Sequence, residues 1–123
     1  MNNNVNENKI KDIFSEIEYK ETTYKIYFNL NVMEEIQEEY QTFDNWTDLV
    51  SGKDKETDIK ALIFGFTAMI NEGIDIQNEE NGTDIKPLTK KQVGRMITEI
   101  GLQNANQKLI DTVIESTKST KNA

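Results

Sequence analysis

Apolar residues in the middle of the chain recur at helical spacing, most densely in Ala61-Leu62-Ile63-Phe64-Gly65-Phe66-Thr67-Ala68-Met69-Ile70. Ile59, Leu62, Ile63, Phe66 and Ile70 follow the i, i+3, i+4, i+7 pattern and are expected to form one core-facing stripe, because residues at that spacing share a helix face. Phe64 and Ala68 fall off the stripe, with Met69 at its margin. A helix apolar on more than one side must be covered on more than one side, so Phe64, Ala68 and Met69 are the expected partner-binding positions if the rest of the domain does not cover them. The helix is read from about Asp58 to Asn71. Gly73 would end it, and Ile74 to Lys86 reads as a polar loop with a turn at Gly82.

Ahead of that helix the period changes. Ile10, Ile13, Phe14 and Ile17 fit a helical stripe, while Ile13, Ser15, Ile17 and Tyr19 alternate as a strand would. Thr23 to Phe28 is rich in β-branched and aromatic residues, with Tyr24, Ile26 and Phe28 on one face and Lys25 and Tyr27 on the other. The pattern reads as a hairpin of Phe14 to Tyr19 and Thr23 to Phe28, joined by Lys20-Glu21-Thr22. Asn31 and Glu34 have capping-box spacing, which predicts a helix to about Tyr40 with Val32, Met33, Ile36 and Tyr40 inward and Glu34, Glu35, Glu38 and Glu39 outward. A short helical turn from Asp44 to Val50, carrying Trp46 and Leu49, ends at Gly52.

Thr89 and Gln92 make a second capping box, with Leu88 and Val93 placed as its hydrophobic staple. The helix it opens carries Val93, Met96, Ile97 and Ile100 and stops at Gly101. Asn104 would cap a last helix from about Ala105 to Thr117 that buries Leu109, Ile110, Val113 and Ile114. The predicted class is α+β, mainly α: a short N-terminal β-hairpin followed by about four helices. Residues 1–12 read as a disordered leader, 13–117 as a single domain and 118–123 as a disordered polar tail.

Composition narrows the chemistry. A chain of 123 residues is large enough to bury roughly two-thirds of its unfolded surface as one domain. Its net charge is −8, its pI about 4.6, and Arg95 is its only arginine, which argues against nucleic acid and against an anionic membrane surface. With no cysteine and no histidine, disulfides, thiolate nucleophiles and the usual general base and metal ligands are removed together. No serine or lysine has an activating partner at a telling spacing, so the chain reads as non-enzymatic, without cofactor or metal. A calcium loop with Gly82 at its sixth position would begin at Gln77 and end at Leu88, where acidic residues are needed. A helix-turn-helix reading of the last two helices fails because the second begins Ala105-Asn106-Gln107-Lys108, with a single basic residue. The polar start and the lack of about 20 consecutive apolar residues predict a cytoplasmic protein.

The series Phe28-Asn29-Leu30-Asn31-Val32-Met33-Glu34-Glu35-Ile36, then Leu62-Ile63-Phe64-Gly65-Phe66, then Leu88-Thr89-Lys90-Lys91-Gln92-Val93-Gly94 resembles the tail assembly chaperones of long-tailed bacteriophages over about residues 22–117. The resemblance implies a protein that binds the helical, aggregation-prone tape measure protein, keeps it soluble and helps tail tube subunits polymerise around it. It implies work in the cytoplasm of the bacterial host and absence from the mature virion. Such chaperones are often made in two lengths by a ribosomal slip near the end of the shorter, the longer form adding contact with the tail tube protein. Thr120-Lys121-Asn122, encodable as ACA-AAA-AAT, is the expected place for one here. Self-association into a homo-oligomer fits the same reading. Two other classes are compatible with the sequence: a structural phage tail or head-tail joining component that persists in the particle, and an acidic regulatory protein that occupies a basic site on its partner.

Overall fold

The computed structural model describes residues 13–53 and 55–122, with side chains as far as Lys118. The leader expected at 1–12 lies outside the described residues. At the N-terminus the strand period prevails over the helical one. β1 (Phe14–Tyr19) pairs antiparallel with β2 (Thr22–Tyr27), Phe14 facing Tyr27 and Tyr19 facing Thr22. Only Lys20 and Glu21 lie between the strands, both at positive φ (51° and 66°), the sign that both central residues of a two-residue primed turn need to match strand twist. Tyr27 is buried together with Ile26 and Phe28, so the hairpin does not divide into one dry and one wet face at that end.

Among the described residues five helices follow, giving an α+β fold that is mainly α. α1 (Leu30–Tyr40) is capped by Asn29, whose Oδ1 accepts from the Val32 N–H at 3.2 Å. The cap therefore lies two residues before the expected Asn31, whose amide instead donates to Glu72 at 3.1 Å. Gln41, at φ 71°, ends the helix without a glycine. The expected short turn is a full helix, α2 (Phe43–Ser51), capped by Thr42 and closed by Gly52 in the left-handed conformation.

α3 (Ile59–Asn81) is 23 residues long and capped by Asp58. It runs through Gly73, where the sequence pattern predicted its end, and stops at Gly82 (φ 66°). Gly73 instead makes room for the hairpin. A Cβ there would overlap the Lys25 carbonyl oxygen, so the bare backbone lets β2 press against the helix. Ile74, expected in a loop, is buried. The remaining extended stretch returns along α3, held by two asparagines two turns apart. Asn78 donates to the Ile85 carbonyl at 3.0 Å and accepts from the Ile85 N–H at 2.9 Å. Asn71 makes the same pair with Leu88, at 3.0 and 2.8 Å. Each amide satisfies a donor and an acceptor of a segment that has no strand partner.

α4 (Lys90–Ile100) opens with the expected capping box, Gln92 N–H to Thr89 Oγ1 at 3.1 Å and Thr89 N–H to Gln92 Oε1 at 2.8 Å. Gly101 is the single residue between α4 and α5 (Leu102–Asn122), and its carbonyl accepts from the Ala105 N–H at 2.9 Å. The last helix thus begins earlier than expected, and Asn104 lies inside it, donating to the Ile100 carbonyl. It also continues to Asn122, over positions read as a polar tail.

α3 is the centre of the packing, in contact with β2, α1, α2 and α4, while α5 closes the fold against β1, α2 and α4. Leu62, Phe66 and Ile70 are fully buried, as the apolar stripe of α3 requires. Ile63 is half-buried against Gly94 of α4. Ile59 departs from the expectation at 49% exposed, since it is the first helical residue after the Asp58 cap and lies at the margin of the packed layers. Replacing Phe66 with Ala should destabilise the domain by about 3–5 kcal/mol, the transfer loss plus the cavity left behind. Urea melts would contradict this packing if the variant stayed within about 1 kcal/mol of the parent.

Candidate functional site

The three positions expected to meet a partner are largely used by the chain itself. Met69 is fully enclosed and Ala68 is 6% exposed, because the surplus apolar width of α3 is covered by the elements that surround it. Phe64 is half-buried. Its ring meets Tyr40 edge-on at 5.5 Å between centroids, and the Lys90 ammonium sits 5.1 Å from its centroid. Ala68 and Met69 are therefore core residues, and Phe64 joins α1 to α3 and α4. The Tyr40 hydroxyl finds no hydrogen-bonding partner among the described residues, and burial followed by the charges of Asp58 and Glu39 raises its pKa. Both effects keep it a neutral phenol.

The outward glutamates of α1 meet a second acidic row on α3. Burial, then the carboxylates of Glu72, Glu38, Asp75 and Glu34, raise the Glu35 pKa above the ordinary glutamate value. Glu72 is partly compensated by the amides of Asn29 and Asn31, at 2.8 and 3.1 Å. Among the described residues, no group of three or more carboxylates is placed to hold a metal ion.

Among the depressions on the described surface, two bear on a binding role. One, open and shallow at about 930 Å³, lies between the end of α1 and the loop after α2 and mixes Glu39, Asp58, Lys53 and Lys55 with Leu49. Its charges are of both signs, Asp48 and Glu56 included. The other is narrow and apolar, about 260 Å³, between α2 and α5. Half-buried Phe43 and Thr47 stand on one side and Ile110 and Ile114 on the other, with Trp46, Val50, Leu109 and Val113 buried beneath. The sequence pattern assigned Ile114 to the buried stripe, yet it is 48% exposed, since the apolar face of α5 is wider than α2 covers. The signal was present as four apolar residues in two adjacent pairs, Leu109-Ile110 and Val113-Ile114, but no residue pattern reports the width of the facing helix.

Comparison with models of known protein families, with curated proteins and with solved structures gives no match for this chain. No described helix is long and apolar enough to cross a membrane.

The crowded carboxylates lead to a pH prediction. A carboxyl whose folded pKa is raised binds its proton more readily in the folded state, so ionised Glu35 works against the fold near neutrality and stops doing so below its unfolded value. Glu35→Gln should raise the urea midpoint at about pH 7, and the advantage should vanish below about pH 4. An unchanged or lower midpoint at neutral pH would contradict the electrostatic account.

Proposed function

We propose that this chain is a non-enzymatic assembly chaperone of the phage-tail kind, which holds apolar helical segments of a tape measure protein while tail tube subunits polymerise around it. The observation that carries the reading is the apolar groove between α2 and α5, left open on a chain whose net charge is −8. A groove walled by two helices suits the apolar face of a third, and the acidic exterior opposes aggregation of the complex. The resemblance adds to this through residues with defined roles in the fold: Asn29 caps α1, Gly65 makes room for Trp46, and Thr89 with Gln92 opens α4. The same reading puts the protein in the host cytoplasm during assembly and outside the finished particle.

Co-expression with the tape measure protein encoded by the same genome tests it. The tape measure protein should be soluble and co-purify with this chain, and should precipitate when expressed alone. Mass spectrometry of purified particles should not find this chain. A tape measure protein equally soluble without it, or stoichiometric retention of the chain in particles, would refute the chaperone reading, the second result favouring a structural component.

A further inference from the structure

We propose that the α2–α5 groove selects an amphipathic helix whose apolar ridge is flanked by basic residues. The inference takes its partner class, a helix, from the chaperone reading and adds the chemistry that recognises it. At about 260 Å³ the groove falls below the roughly 300–1,000 Å³ of small-molecule pockets, so it suits one or two side chains rather than a whole ligand. Its lining is apolar, with Thr47 and Thr117 among the few polar groups, and Ile114 stands half-exposed on its α5 wall. Side chains at i and i+4 of a docking helix would enter between Ile114 and the α2 wall.

Charge specifies the flanks. α2 contains no lysine or arginine, and its exposed face carries Asp44 and Asp48 one turn apart, Asp48 itself lining the groove. On α5, Asp111 is exposed one turn before Ile114 and, among the described residues, accepts from the neutral amide of Gln107 at 2.9 Å. Of the nearby cations, Lys118 is engaged by Glu115 at 3.6 Å. Lys53 and Lys55 line the other depression with Asp48, and exposed Lys108 precedes Asp111 by one turn, none of these three in an ion pair among the described residues. A basic flank would meet three carboxylates without a described cationic partner, and an acidic flank would be repelled. A second copy of this chain is disfavoured by the same rim, because a symmetric pairing through the groove would set Asp44 and Asp48 close to their own equivalents.

Trp46, the only tryptophan, lies fully buried beneath the groove and serves as the reporter of packing there. The probes are two synthetic helical peptides of about 18 residues, roughly five turns, with the same leucine ridge and either lysine or glutamate at every other position. At low salt the lysine peptide should change Trp46 emission saturably, and the glutamate peptide should bind at least about tenfold more weakly, with the gap closing as salt is added. Ile114→Gln, at an exposed position, should weaken the lysine peptide about tenfold without moving the urea midpoint, and Asp44→Asn with Asp48→Asn should remove most of the charge preference. Equal binding of both peptides, or indifference to Ile114→Gln, overturns the proposal. So does a dimer in sedimentation that Ile114→Gln dissociates, which would assign the groove to a second copy. A tape measure protein that co-purifies as well with Ile114→Gln as with the parent removes the groove proposal and leaves the chaperone reading standing. Peptide binding as expected, with no effect on tape measure solubility, supports the groove and removes that reading.

Discussion

Trp46 reaches the backbone of α3 because residue 65 has no side chain. A Cβ at that position would overlap the indole ring, well inside contact distance. The ring fills that notch and donates its N–H to the Ala61 carbonyl at 3.0 Å, so the largest side chain of the molecule is fully buried with its one polar atom satisfied. Phe28 stacks nearly parallel to it at 6.4 Å, and Phe43 tilts against it at 6.0 Å. This joins the residue after β2, the start of α2 and the middle of α3 in one cluster. The same indole, with no exposed surface of its own, lies beneath the groove between α2 and α5. Whatever fixes Trp46 therefore also fixes the base of that groove.

Gly73 repeats the device two turns further along, with backbone in place of a ring. The Lys25 carbonyl presses onto the helix there, which ties the hairpin to α3. A two-stranded hairpin is marginal by itself and needs a surface to lie on. The two glycines thus set the positions of the elements on either side of the central helix. Each gives up about 1 kcal/mol of helix propensity relative to alanine for a close approach that no other residue permits.

The elements were legible where local chemistry decides them. The Thr89-Gln92 capping box, the β-branched and aromatic run of β2 and the Gly52 stop were all written in neighbouring residues. What depends on distant contacts was not. Gly73 carries the signature of a helix end, and only the approach of Lys25 shows why it lies mid-helix. Asn29 and Asn31 are equivalent as caps by type, and the placement of Glu72 gives the second a different partner. Asn71 and Asn78 look like loop formers, yet they hold a returning segment that lies up to 17 residues away. The candidate site was less legible than the fold. The surplus apolar width of α3 pointed to Phe64, Ala68 and Met69, but the chain spends that width on its own packing. The exposed apolar residue at the groove lies instead on α5, where Ile114 outruns the width of α2.

The most direct measurement is a double-mutant cycle between Gly65→Ala and Trp46→Leu, followed by far-ultraviolet circular dichroism in urea. In the parent, Gly65→Ala should destabilise by about 1–3 kcal/mol, because overpacking outweighs the gain in helix propensity. With leucine at 46 the notch is vacant, and the same change should be neutral or stabilising, giving a coupling of at least about 1 kcal/mol. If Gly65→Ala shifts stability equally in both backgrounds, or stabilises the parent, the seat of the indole does not depend on the missing side chain.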